Sequence, residues 1–129
     1  MSIHTIKIDV RDYECDMQGI VNNAVYQNYL EHARHTFLKD KGLDFAEITK
    51  QGIHLVVMRA ELDYKAPLKS GMTAVISTEP ETVSRFKFAF NQRITCATTG
   101  KLMMQARIIV ASISDQGKPV VFKEAAQLF

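Results

Sequence analysis

The 129-residue sequence predicts an α+β fold, a curled antiparallel β-sheet wrapped around one long central α-helix. Three observations lead there. Val25, Tyr26, Tyr29, Leu30, Ala33 and Phe37 recur at 3.6-residue spacing and make the one long helix of the chain. The other long periodic segments alternate as strands do, and four of them follow the helix in succession. At about 11 to 14 residues three of these strands are roughly twice the usual length. A sheet of that size curls, and the single helix is what can fill its concave side.

The elements follow in order. Ile6, Ile8 and Val10 alternate with Lys7, Asp9 and Arg11, a half-buried strand. A polar cluster from Arg11 to Gly19 reads as a loop closed by glycine. The helix runs from Asn22 or Asn23, as N-cap, to about Lys41, with Gly42 as its stop. Leu43 to Gly52 is short and mixed and reads as a turn of helix before Gly52. Strands follow over Leu55–Lys65, Met72–Thr78, Ser84–Ala97 and Leu102–Ser114. Thr98-Thr99-Gly100-Lys101 is a hairpin signal, and the last strand, apolar on both faces, belongs inside the sheet. The tail turns helical from Lys123. Apolar residues left for the convex face imply a partner subunit.

Composition narrows the class. Sixteen Lys and Arg against fourteen Asp and Glu leave a net charge of +2, far from the basic excess of a nucleic-acid-binding domain. With 47% hydrophobic residues the chain is globular rather than disordered. Its length suits one domain over residues 1–129. Two cysteines, Cys15 and Cys96, make no disulfide framework. No stretch approaches the roughly 20 apolar residues of a membrane span. Met1-Ser2-Ile3-His4-Thr5-Ile6-Lys7 lacks the order of a signal peptide, so the expected location is cytoplasmic.

The richest chemistry lies in the loop feeding the helix. Asp16 precedes the helix start, where unpaired backbone N–H groups and the positive dipole end can hold a developing oxyanion. A carboxylate there can attack a carbonyl or activate water. The same pattern also fits a loop with a capping aspartate. Gly19 would let the backbone approach a ligand closely.

Asp16-Met17-Gln18-Gly19-Ile20-Val21-Asn22-Asn23-Ala24-Val25-Tyr26, followed by Tyr29-Leu30-Glu31-His32-Ala33-Arg34, resembles the signature of the 4-hydroxybenzoyl-CoA thioesterase family. That family has the hotdog fold. Leu62-Asp63-Tyr64-Lys65-Ala66-Pro67 and Gly71 are similar to its first long strand and turn, so the resemblance spans the chain. It implies hydrolysis of an acyl-CoA thioester to free acid and CoA without a further cofactor. Asp16 matches the catalytic carboxylate, as nucleophile or general base. The backbone N–H of Asn23 matches the oxyanion donor. Some relatives carry histidine or tyrosine at that position, so the resemblance implies no histidine-dependent step here. Val21-Asn22-Asn23 resembles a branch acting on acyl carrier protein, which keeps that carrier open as a substrate. Tyr26 would pack near the acyl pocket. Ser84, Arg85 and Lys87 match the region of coenzyme A contacts, and also read as an edge strand guarded by charge. The resemblance further implies a homodimer, or a dimer-of-dimers tetramer, with Asp16 facing the 54–60 segment of the second subunit and His54 edging the pocket. A hotdog protein that binds an acyl thioester without turning it over is the alternative.

Other candidates are weaker. His32 and His35 are three apart, but no further ligands have metal-site spacing, and His35 lies with Glu31 and Lys39 opposite the apolar stripe. Cys15 has no partner histidine at a recognisable spacing. Met103, Met104 and the Phe86-Phe88-Phe90 face read as core or subunit contact.

Overall fold

A computed structural model describes residues 3–129. Met1 and Ser2, which open the segment read for a signal peptide, lie outside the described residues. The elements are β1 (His4–Asp9), a 3-10 turn (Asp12–Glu14), α1 (Asn23–Asp40), α2 (Phe45–Lys50), β2 (His54–Tyr64), β3 (Thr73–Ser84), β4 (Lys87–Cys96), β5 (Leu102–Ile113) and a closing 3-10 segment (Lys123–Leu128). The five strands form one sheet in the order β1-β3-β4-β5-β2, antiparallel throughout. β5 lies inside the sheet, between β4 and β2.

Local sequence sets both ends of α1. Its start, at Asn22, has extended backbone and no side-chain cap bond. Its end closes on Gly42, whose φ of +81° is the left-handed conformation that favours glycine. There the Gly42 amide donates to Lys39 O and the Leu43 amide to Leu38 O. Leu38 and Leu43 are both buried beside that turn.

The core lies between α1 and the concave side of the sheet. Tyr26, Tyr29, Leu30, Ala33, Phe37 and Leu38 are buried from the helix, and Ile76, Phe90, Ile94, Ile108 and Val110 from the strands. Phe37 meets Phe90 edge-on, with centroids 5.9 Å apart. Removal of this much apolar surface from water, rather than intrinsic propensity, is what holds so long a helix in place.

Three expectations need correction. First, β3 does not stop at Thr78 but runs to Ser84 through Pro80, and β4 starts only at Lys87. β1 covers β3 no further than Thr78, so Pro80 falls where β3 is paired on one side only, a place proline tolerates.

Second, the convex face is not apolar at its centre. Ser77, Glu79, Asn91, Arg93, Gln105 and Arg107 line a concavity of about 450 Å³ there. Glu81 accepts from Asn91 (2.9 Å) and from Arg107 (3.2 Å). Large exposed apolar side chains sit instead on the edge strand β2, at Val57, Met58 and Tyr64. A bulge between Val57 and Arg59 leaves Met58 unpaired.

Third, the helix face opposite the apolar stripe is not clear of the core at His35, which is half-buried with its ring tilted against Phe45 at 4.7 Å. Burial lowers its pKa, against the raising effect of Glu31.

Candidate active site

The chain from Val10 to Asn22 is folded back on itself and stitched to the β2–β3 connection. The Val10 amide donates to Met72 O, Val21 to Leu68 O and Asn22 to Glu14 O. Ser70 Oγ also donates to Asp12 Oδ1. These bonds set the position of Asp16 relative to the start of α1.

Asp16 is exposed, and its Oδ1 accepts from the amides of Gln18 (2.9 Å) and Ile20 (3.2 Å). Its own amide donates to Ile20 O (2.8 Å), and the Gly19 amide to Asp16 O (3.0 Å). Gly19 has φ +78°, which this tight return of the chain requires. The loop thus orients the carboxylate through backbone amides. Two residues beyond Val21, Asn23 opens α1, exposed, with the N–H groups of the first turn uncapped by any side chain. A carboxylate and an open helix N-terminus on one short segment can attack or hydrate a carbonyl while holding its oxygen.

Tyr26 lies one turn along the helix, 2% exposed, and its hydroxyl accepts from the Leu68 amide at 2.9 Å. Tyr64 meets it edge-on at 5.2 Å. Together with Val21, Asn23, Lys65 and Pro67 they line a cavity of about 240 Å³ beside the helix start. Asp16 is not in that lining, which the site loop reaches through Ile20 and Val21. Burial raises the Tyr26 pKa, outweighing the lowering by the Leu68 amide.

Beneath the loop sits a group the sequence reading missed. Glu14, only 8% exposed, accepts from Tyr29 Oη (2.6 Å), the Arg11 amide (2.9 Å) and Arg11 Nη1 (3.2 Å). Burial pushes the Glu14 carboxyl up, but the bonds from Tyr29 and Arg11 hold it below its ordinary value. Burial first, then the hydrogen bond to Glu14 and its charge, pushes the Tyr29 hydroxyl well up. A second missed group lies deeper. Arg34 Nη1 donates to Gln92 Oε1 (3.1 Å), and Gln92 Nε2 donates to Leu30 O and Thr78 Oγ1 (3.0 Å each). Both had a signal in the sequence. Arg34 falls one helical turn from Leu30 on the apolar stripe, and Gln92 interrupts Phe88, Phe90 and Ile94 on one strand face. Glu14 had no such signal.

The remaining expected residues are elsewhere. Ser84 and Lys87 pair across the β3–β4 turn, and the Arg85 guanidinium lies over the Phe86 ring at 5.4 Å. Lys87 is level with Ala111, and Ala111 with Val56, so this turn shares an end of the sheet with His54. His54 Nε2 is 2.7 Å from Asp115 Oδ1. Asp16 lies at the other end, where β3 begins. The 12 residues of β3, a path of at most about 40 Å at about 3.3 Å each, run between the two groups. Within one chain Asp16 and Gly19 share the loop that leads into the helix start, Asn23 and Tyr26 share the cavity beside it, and His54, Ser84, Arg85 and Lys87 join neither. Cys15 is half-buried, with Sγ 3.7 Å from Arg11 O. Among the described residues no group of three metal-ligating side chains forms, and no helix is long and apolar enough to cross a membrane.

An antiparallel sheet wrapped on one long helix, with a carboxylate loop leading into the open helix start, defines a hotdog-fold protein. The family model of the Thioesterase-like superfamily matches residues 10–128, and the chain belongs to that superfamily. The chain is 33% identical over 116 residues to the chloroplastic acyl-acyl carrier protein thioesterase ATL2 of Arabidopsis thaliana, covering 90% of this chain and 62% of that one. It thus spans less than two thirds of that relative's length. The long-chain acyl-CoA thioesterase FadM of Escherichia coli is 28% identical over 107 residues, 83% of this chain and 80% of FadM. Among solved structures, the fold is similar to Slr0204 of Synechocystis, a 1,4-dihydroxy-2-naphthoyl-CoA thioesterase, at TM-score 0.91. That likeness has 20% identity and covers 98% of this chain and 93% of the other.

Proposed function

We propose that this chain is a thioester hydrolase that cleaves an acyl thioester to free acid and thiol. The observation that carries the reading is the Asp16 carboxylate, oriented by the Gln18 and Ile20 amides on the loop that enters the uncapped start of α1. The thioester carbonyl oxygen accepts from the Asn23 amide, which stabilises the charge that builds there. Asp16 attacks the carbonyl carbon, or takes a proton from the water that does. The C–S bond then breaks and the thiolate leaves and is protonated; where water attacked, its oxygen stays in the acid, and where Asp16 attacked, a water molecule next cleaves the Asp16–acyl anhydride, giving its oxygen to the acid and restoring the carboxylate. Gly19 allows the close loop approach, and Tyr26 backs the acyl group. In this reading the chain follows the pattern of the 4-hydroxybenzoyl-CoA branch.

The reading includes a second copy of the chain. Val57 and Met58 expose apolar surface on the edge strand β2, where strand-to-strand pairing forms a homodimer, with a dimer of dimers as the larger assembly. His54, Ser84, Arg85 and Lys87 then serve the site of the partner, the two cations meeting the phosphates of coenzyme A. Similarity to both ATL2 and FadM supports acyl carrier protein and CoA alike as the carrier. The assignment is to a cytoplasmic enzyme that needs no further cofactor.

The test is thiol release across a panel of acyl-CoA and acyl carrier protein thioesters, with wild type and Asp16→Asn side by side. Turnover by wild type that falls by about two orders of magnitude or more in Asp16→Asn, with unchanged thermal unfolding, supports the reading. Equal turnover by the two proteins removes Asp16 from the mechanism. Binding of the thioesters with no turnover by wild type favours the non-catalytic alternative.

A further inference from the structure

Helix α1 packs on the sheet at β1, β3 and β4, but on the β2 side it leaves a groove. Two adjoining cavities of about 310 and 390 Å³ occupy it and share Glu31, Arg34 and Val57. Much of the remaining wall is apolar, with Leu30 and Ile108 in one cavity and Leu38 and Phe90 in the other. The groove opens at Gln27, one turn beyond Asn23, and follows the helix away from the site as far as Leu38. It therefore lies along the path of an acyl chain whose carbonyl sits at the helix start.

Arg34 is the anomaly in that lining. It is 9% exposed, yet its guanidinium makes one hydrogen bond, to Gln92 Oε1. Among the described residues no carboxylate lies within ion-pair distance of it. Gln92 cannot offer more, because its two amide hydrogens are committed to Leu30 O and Thr78 Oγ1. A guanidinium has five N–H donors, and no Arg34 nitrogen is both buried and unpartnered, so the N–H groups left over from Gln92 open onto the groove, where an occupant can supply acceptors. Glu31, in the same lining, is exposed and can accept a proton donor from an occupant that also faces Arg34.

We propose that Arg34 is a specificity determinant that reads an oxygen near the far end of the acyl chain. This inference rests on the thioesterase reading above. Arg34 lies roughly 16 Å along the helix from Asn23, and a helical side chain leans back toward the N-terminus, shortening that to about 10–14 Å. An extended chain covers about 1.2 Å per bond, so the matching acyl groups have about 8 to 12 carbons. The substrate class is a medium-chain acyl thioester with a terminal hydroxyl or carboxylate, whose oxygen accepts from the unused guanidinium N–H groups.

The test offers decanoyl, 10-hydroxydecanoyl and 9-carboxynonanoyl groups, on CoA and on acyl carrier protein, to wild type and to Arg34→Met, and reads kcat/KM from thiol release. Wild type should favour at least one oxygenated ester over decanoyl by about tenfold, and Arg34→Met should lose that advantage. Decanoyl turnover at or above that of both oxygenated esters in wild type overturns the role of Arg34 while leaving the thioesterase reading intact. An advantage that survives in Arg34→Met overturns it too. If thermal unfolding shows that Arg34→Met does not fold, the wild-type comparison decides alone. Wild type that turns over none of the esters brings down both proposals together.

Discussion

Tyr29 donates a 2.6 Å hydrogen bond to Glu14, joining the second turn of α1 to the segment that carries the site loop. Glu14 O in turn accepts from the Asn22 amide at the helix start. The carboxylate-bearing loop and the helix that would hold the oxyanion are thus tied by one buried residue through both its side chain and its backbone.

Tyr29→Phe keeps the ring and deletes that bond, leaving a buried carboxylate with two donors instead of three. The expected loss is about 1–3 kcal/mol of stability, since the bond is to a charged group. Chemical denaturation at neutral pH measures it. An unchanged unfolding midpoint would mean that water replaces the hydroxyl.

Glu14 also sets a pH dependence. Its folded-state pKa lies below the ordinary 4.5 because the bonds from Tyr29 and Arg11 outweigh the opposing effect of burial. A carboxyl with a lowered folded pKa contributes stability above its unfolded value and loses it as pH falls through the folded one. Stability should therefore decline below about pH 4.5. Glu14→Gln should be less stable at pH 7 and show a flatter decline. Thermal unfolding of both proteins between pH 3 and 7 checks the slope.

Gly19→Ala probes the turn behind Asp16. A Cβ there would meet nothing within 4 Å, so the cost comes from the left-handed backbone and not from a clash. The expected destabilisation is about 1 kcal/mol. Because the Gly19 amide closes the turn on Asp16 O, turnover should fall more than stability does. Gly19→Asn, which tolerates this conformation better, should restore part of both.

Gln92→Leu removes the one acceptor of Arg34 and strips Leu30 O and Thr78 Oγ1 of a donor. A hydrogen bond to a charged group is worth about 1.5–3 kcal/mol, and the two acceptors left without their donor add to the loss. The variant should unfold well below wild type, and Gln92→Glu should recover part of the loss by pairing with the guanidinium. Thermal unfolding of the two variants side by side separates charge compensation from simple packing.

Much of the architecture can be read from local pattern. The alternation of Ile6, Ile8 and Val10, and the helical recurrence of Tyr26, Leu30, Ala33 and Phe37, each reflect a backbone period that neighbouring residues set among themselves. Gly42 could be placed as the helix stop for the same reason. The boundary at Ser84–Lys87 could not, because whether Pro80 fits a strand depends on where β1 ends. The polar convex face was obscured in β5, where Ile109 interrupts the outward Gln105 and Arg107.

The sequence by itself determined the strand–helix–four-strand order, the single long helix and the placing of Asp16 just before that helix. All three depend on separations of a few residues, over which chain geometry leaves little choice. Only the tertiary structure decided that Glu14 is buried under the site loop, that Arg34 hangs on Gln92 alone, and that Ser84, Arg85 and Lys87 stand at the far end of the sheet from Asp16. Those relationships join residues far apart in the chain, and they follow from strand length, register and the close packing of helix on sheet, which no local period encodes.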